Sequence, residues 1–157
     1  MQKTRQTQRI SKLNQAMGWF QDNTGEWKFA LGTEVIAQEG IQKCSYGSHA
    51  PDFVRNLLPY GTSEEWTELT DVYNEEGYEG LAFEFLALAF GAPLVRFTGF
   101  QGACVGVVGA SGVGKTATAI FALAAWGAPQ GLMLLGEDTH NALVGRMGTY
   151  KSLPAYI

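Results

Sequence analysis

Eight consecutive residues constrain this chain more than anything else in it. Gly109-Ala110-Ser111-Gly112-Val113-Gly114-Lys115-Thr116 fits the pattern GxxxxGK[ST] at every fixed position. An apolar run, 103–108, stands directly before it, and an alanine-rich stretch of helical character, 115–126, directly after. That order of strand, glycine-rich loop and helix is the context in which the pattern has chemical meaning. Gly109 allows a sharp turn off a strand end. Gly112 and Gly114 allow backbone N–H groups to crowd around a phosphate where a Cβ would collide. Lys115 supplies a compact charge for the β- and γ-phosphate oxygens. Thr116 offers a hydroxyl to Mg²⁺, and the helix after it points its positive end at the anion. All eight residues, 109–116, are therefore expected to bind nucleotide, with ATP and Mg²⁺ as the cofactors and Thr116 as a metal ligand.

The pattern around this loop predicts an α/β fold. The run 103–108 is apolar throughout, as suits a strand buried on both faces. A helix over 115–126, a second strand over 131–135, a helix over 140–147 capped by Thr139 and a third strand over 153–157 follow. This β-α-β-α-β order is the start of a P-loop NTPase sheet of RecA/AAA-like type. Four regions are expected: a polar basic tail (1–16), a small β-rich segment (17–60), a helical pair (61–94) and an incomplete P-loop ATPase core (95–157).

Trp27, Phe29 and Leu31 alternate with Lys28 and Ala30, and the turn residues Asn23-Thr24-Gly25 precede them, which predicts a hairpin. A third short strand is expected at 34–36. Thr62-Ser63-Glu64-Glu65 has the form of a capping box. Trp66, Leu69 and Tyr73 follow at helical spacing, with Trp66 and Leu69 expected to be largely buried, and a second helix over 78–90 should turn Leu81, Phe85, Leu88 and Ala89 toward a core.

Composition narrows the function classes. Of 157 residues, 46% are hydrophobic and 17% charged, which excludes a disordered chain. The net charge is −4, unevenly spread. Lys3, Arg5, Arg9 and Lys12 stand near the start, whereas Glu64, Glu65, Glu68, Asp71, Glu75, Glu76, Glu79 and Glu84 form an acidic block that would repel a phosphate backbone. Cys44 and Cys104 form no disulfide framework, in keeping with a reducing cytosol. No apolar run is long enough for a membrane span, so no membrane partner is expected.

A working NTPase also needs an acid at the end of a neighbouring strand. Glu137 and Asp138 follow the apolar residues 132–135 and are the candidates, although the strand just after a P-loop helix is usually not the one that carries this acid. Cys44 with His49 makes half a metal site at best. His140 reads as a helix start facing solvent. Trp19, Trp27, Trp66 and Trp126 read as packing residues, with base stacking as the alternative. Cys104 reads as a buried residue of the central strand.

Several short matches join the loop: Gly18-Trp19, Phe29-Ala30-Leu31-Gly32, Gly61 through Trp66, Leu81-Ala82-Phe83, Phe90-Gly91-Ala92-Pro93-Leu94, Trp126-Gly127 and Thr139-His140-Asn141-Ala142-Leu143. Together they resemble the phage- and plasmid-borne ATPases with a domain of unknown function that are grouped with superfamily-two-type or primase-associated helicases. In that family the third strand ends in an Asp-Glu pair. The resemblance therefore implies that this chain is an N-terminal fragment cut before those acids. It further implies a parent that binds DNA, possible ring-forming homo-oligomers, a role in phage DNA replication, and the cytoplasm of a bacterial host as the compartment. The fragment itself is expected to bind MgATP weakly and to hydrolyse it hardly at all. The competing readings are a nucleotide-binding regulatory module and a small-molecule P-loop kinase, the latter weakened by the long segment ahead of the loop.

Overall fold

The computed structural model describes residues 17–44, 52–73, 79–134 and 139–156. Four strands open it: β1 (Gly18–Gln21), β2 (Trp27–Leu31), β3 (Glu34–Ala37) and β4 (Gly40–Lys43). They form one antiparallel sheet in the order β1-β2-β3-β4. Each strand pairs with the next through a short turn, so every ladder is local in sequence. The register sets Trp19 opposite Phe29, and Ala30 opposite Val35.

The expected hairpin is built around Asp22. Its Oδ1 accepts from Thr24 N at 2.8 Å, Thr24 Oγ1 at 2.6 Å and Glu26 N at 3.1 Å. Lys28 Nζ lies 3.0 Å from the other carboxylate oxygen. The hydrogen bonds from Thr24 and then Lys28 hold the Asp22 carboxyl well below the usual carboxylate range, and Asp22 in turn raises the Lys28 ammonium. The third strand lies where expected, and β4 was not anticipated: Gly-Ile-Gln-Lys carries little strand signal. It is held because Ala37 pairs with Gly40 across a two-residue turn, with Gly40 at φ 125°.

A 3-10 helix (Asp52–Leu57) leads to α1 (Ser63–Tyr73). The capping box is formed: Thr62 N donates to Glu65 Oε2 at 2.9 Å, and Glu65 N donates to Thr62 Oγ1 at 3.2 Å. Next come α2 (Glu79–Gly91) and a second 3-10 helix (Ala92–Phe97), whose Phe97 sits edge-on to Trp19 and Trp27. Phe85 and Ala89 of α2 are buried as expected, and Leu88 is half-buried. Leu69 departs from expectation at 42% exposure. Helix α1 touches the rest of the molecule through rings instead: Trp66 and Tyr73 both stack on Phe121.

Three helices complete the described chain: α3 (Lys115–Ala124), the single turn α4 (Pro129–Leu132) and α5 (His140–Tyr150). Thr139 caps α5 by accepting from Ala142 N at 3.3 Å. The core lies where α3, α4 and the residues after α5 meet the sheet, with Met17, Phe29, Leu57, Leu123, Leu132, Leu134, Tyr150 and Leu153 in contact. A second cluster joins α2 to α3 through Phe85, Ala89, Ala119 and Ala122. Two close backbone approaches fix this arrangement. Ala128 N donates to Asn56 O at 2.7 Å, and at Gly127, whose φ is 150°, a Cβ would run into Asn56 O. Tyr156 donates its hydroxyl to Phe85 O at 3.0 Å, and burial pushes that phenol up to about 12.

The three strands expected after residue 102 are not formed among the described residues. Residues 101–110 carry no regular structure and are exposed, so Cys104 is an exposed thiol and not a core residue. The physical reason is that a strand is half a structure: its N–H and C=O groups need a neighbour, and no described strand lies beside 103–108. Where the second strand was expected, Pro129 starts a helical turn that runs to Leu132, following the extended Ala128, and Leu135 lies outside the described residues. Residues 153–156 approach this region through one backbone hydrogen bond, Leu134 N to Tyr156 O at 2.8 Å.

Candidate functional site

The glycine-rich loop 109–116 bends through a turn at 111–112 and enters α3 at Lys115. Gly112 has φ 82° and Gly114, the N-cap of α3, has φ 85° and ψ 4°, both left-handed. Such values are easy for glycine and strained for other residues. A Cβ on Gly112 would meet nothing within 4 Å, so its glycine answers to backbone conformation and not to crowding by the protein. At Gly109 the backbone makes no such demand, and a Cβ would make only ordinary contact with Val113 and Lys115.

Lys115 folds back over its own loop. Its Nζ donates to Ala110 O at 2.6 Å and to Gly109 O at 3.0 Å. An ammonium has three donors, so one stays available at the loop mouth. Residues 109–113 are exposed, Gly114 and Lys115 half-buried, and Thr116 exposed in the first turn of α3. The first N–H groups of α3 have no carbonyl behind them within the helix, and they add to the positive end of its dipole.

Thr118, outside the motif, was not singled out from sequence. It is buried at 1% exposure. Its N and Oγ1 both donate to Gly114 O, at 2.9 and 3.0 Å, which ties the left-handed cap to the first turn. A hydroxyl four residues after the glycine is the only sequence signal for that role.

The other candidates do not converge on the loop. Glu137, Asp138 and His49 lie outside the described residues. His140 is exposed at the start of α5, and Cys44 is buried. No group of three His, Cys, Asp or Glu among the described residues is placed to hold a metal. The tryptophans pack: Trp19 lies edge-on to Phe29, Trp27 carries the Arg96 guanidinium 5.3 Å from its ring centre, Trp66 stacks on Phe121, and Trp126 lies 6.3 Å from Phe29. No helix among the described residues is long and apolar enough to cross a membrane.

The loop thus joins two left-handed glycines, a lysine over its mouth and a helix start behind it. The chain matches, over residues 1–155, the family described as Domain of unknown function (DUF927). It belongs to that family. No curated protein and no solved structure matches it.

Proposed function

We propose that residues 109–116 bind the phosphates of ATP, and that the chain is the nucleotide-binding part of an ATP-driven motor acting on DNA, of the helicase kind and working in the cytoplasm. The observation that carries the nucleotide reading is the coincidence of an unbroken GxxxxGK[ST] pattern with left-handed Gly112 and Gly114 and with Lys115 Nζ held over the loop. The residues fit the group. Backbone N–H groups of the loop and of the first turn of α3 would take phosphate oxygens, the remaining Lys115 donor would take one more, and the exposed Thr116 hydroxyl would face Mg²⁺. A Mg²⁺ held there by the Thr116 hydroxyl would offset the charge of the phosphate oxygens. The protein's own part is orientation: the Gly114 carbonyl, fixed by Thr118, sets the angle at which Lys115 and Thr116 leave the helix. The DNA-motor part of the reading rests on the helicase resemblance of the short motifs around the loop.

The test is a titration of a fluorescent ATP analogue against the full chain and its Lys115→Ala variant, with circular dichroism as the control for folding. We expect Lys115→Ala to weaken binding by at least about tenfold, the scale of a lost charge-assisted hydrogen bond. Equal affinity in the two proteins overturns the nucleotide assignment. Affinity for the ATP analogue that single-stranded DNA leaves unchanged overturns the motor reading alone.

A further inference from the structure

At the far end of α3 from the glycine-rich loop lies a second concave feature. A cleft of about 360 Å³ opens between β3, the segment leading into α1, the end of α2 and the last residues of α3. Its size suits a small ligand or an inserted side chain. Three of its rings form one wall: Trp66 lies edge-on to Phe90 at 6.3 Å, and Phe90 lies 6.2 Å from Trp126. Tyr60, 92% exposed, stands at the rim.

The charged side chain in the cleft lining is acidic. Glu34 lines the cleft, and no Lys, Arg or His among the described residues does. Lys43 stands opposite Glu34 in the β3–β4 register yet makes no ion pair with it. The carbonyl end of α3 opens on the cleft at Ala125 and adds partial negative charge. The positive start of α1 is offset by Glu64 and Glu65 in its first turn. Aromatic faces, a carboxylate and a helix C-terminus all favour a cation carried on an apolar stem, and all disfavour phosphate.

A second observation sharpens the occupant. The Nε1 donors of Trp66 and Trp126 are both shielded from solvent and both lack a hydrogen-bond partner. Two unmatched donors in the lining of one cleft are unusual in folded proteins, where buried polar groups are paired. Both are covered while the cleft is empty, so an occupant with a carbonyl beside its cation would satisfy them by turning an indole edge toward the cleft. A guanidinium flanked by peptide carbonyls has both parts. Its plane stacks on an indole and its fork matches a carboxylate, which an ammonium does less well.

We propose that this cleft binds an arginine side chain presented by an extended segment of a partner protein, with the guanidinium on Glu34 and stacked on the Trp66–Phe90–Trp126 wall. The cleft lies about 15 Å along α3 from the glycine-rich loop, too far for its occupant to touch a nucleotide bound there.

The probe is the blocked tripeptide acetyl-Leu-Arg-Leu-amide, titrated into the full chain while the indole N–H resonances of Trp66 and Trp126 are followed. Both resonances should shift. The neutral citrulline peptide should bind at least about tenfold more weakly, and Glu34→Gln should weaken the arginine peptide by a similar factor. Lys115→Ala should leave the binding unchanged. The citrulline arm leaves the protein untouched, so it holds even if a variant is poorly folded. Absence of binding, or equal binding of the citrulline and arginine peptides, overturns the proposal. Binding of free agmatine as tight as that of the peptide overturns the choice of a peptide partner.

Discussion

The β1–β4 sheet and the segment 99–118 are both rich in glycine and apolar residues, yet they reach different ends. In the sheet, every strand meets the next one across a short turn, and its ladder closes within 26 residues, from Gly18 to Lys43. In the second region, 103–108 has the composition of a strand and no neighbouring strand among the described residues, and Val105 and Val108 are 55% and 97% exposed. Apolar composition alone does not make a strand. Pairing does, and pairing that is local in sequence is the kind a short stretch can supply for itself.

Amide hydrogen exchange should show the largest contrast. Phe29 and Ala30 lie in a central strand and are buried, whereas residues 101–110 lie outside any ladder. Local opening free energies run from near zero in such segments up to the global value in core strands, about 5–15 kcal/mol. The amides of β2 should therefore exchange at least about a thousandfold more slowly than those of 103–108. Comparable rates would show that 103–108 is paired in solution and would erase the distinction.

Side-chain truncation should follow the same division. Phe29 is 6% exposed and packs on Trp19 and near Trp126. Phe29→Ala should cost about 3–5 kcal/mol, read from the urea midpoint at constant slope. Val105→Ala, at an exposed position, should stay within about 0.5 kcal/mol. If Val105→Ala costs as much as Phe29→Ala, the apolar run of the second region has a partner.

What the sequence disclosed follows the same line. The hairpin around Asp22, the Thr62–Glu65 box, the Thr139 cap and the glycine-rich loop were all legible, because each is a local arrangement whose hydrogen bonds close within a few residues. The misplacements were tertiary. Cys104 and Leu69 were expected to be buried, and nothing within their own segments could say whether another element covers them. The aromatic cleft was invisible because Glu34, Tyr60, Phe90 and Trp126 lie on separate elements and meet only after folding. The turn in the glycine-rich loop was readable, whereas the buried tie from Thr118 to Gly114 emerged only from the geometry.

A smaller effect tests the seam between the sheet and the helices. Gly127 has φ 150°, and its missing Cβ leaves room for the Asn56 carbonyl, which also accepts from Ala128 N. Gly127→Ala should destabilise by about 1–3 kcal/mol, the usual range for forced overpacking. Gly106→Ala, in the exposed segment where a Cβ meets nothing within 4 Å, should be close to neutral in the same assay. A neutral Gly127→Ala would show that the loop before α4 is not pressed against Asn56 in solution.

The smallest effect is electrostatic and confined to the sheet. Asp22 is the acceptor at the centre of the first hairpin, and its carboxyl is held below the usual range, first by Thr24 and then by Lys28. A depressed folded-state pKa contributes stability that is present above the unfolded value, near 3.9, and lost as pH falls through the folded value. Lys28 has the opposite sign: raised by Asp22, it contributes stability below its unfolded value, near 10.4, that is lost as pH rises through the folded one. Between about pH 4 and pH 10 both contributions are in place. Stability of the wild-type chain should fall as pH drops below about 4. In Asp22→Asn the part of that fall due to this hairpin should vanish, and Lys28 should lose the largest part of its alkaline contribution, keeping what Glu39 and Glu26 supply. The group is solvated, so the change is modest and best read as a difference in acid midpoint between wild type and variant. Identical acid midpoints would mean that the Asp22 turn is equally formed in the unfolded chain, and that local hydrogen bonding, for all its clarity in the sequence, adds nothing to the stability of the sheet.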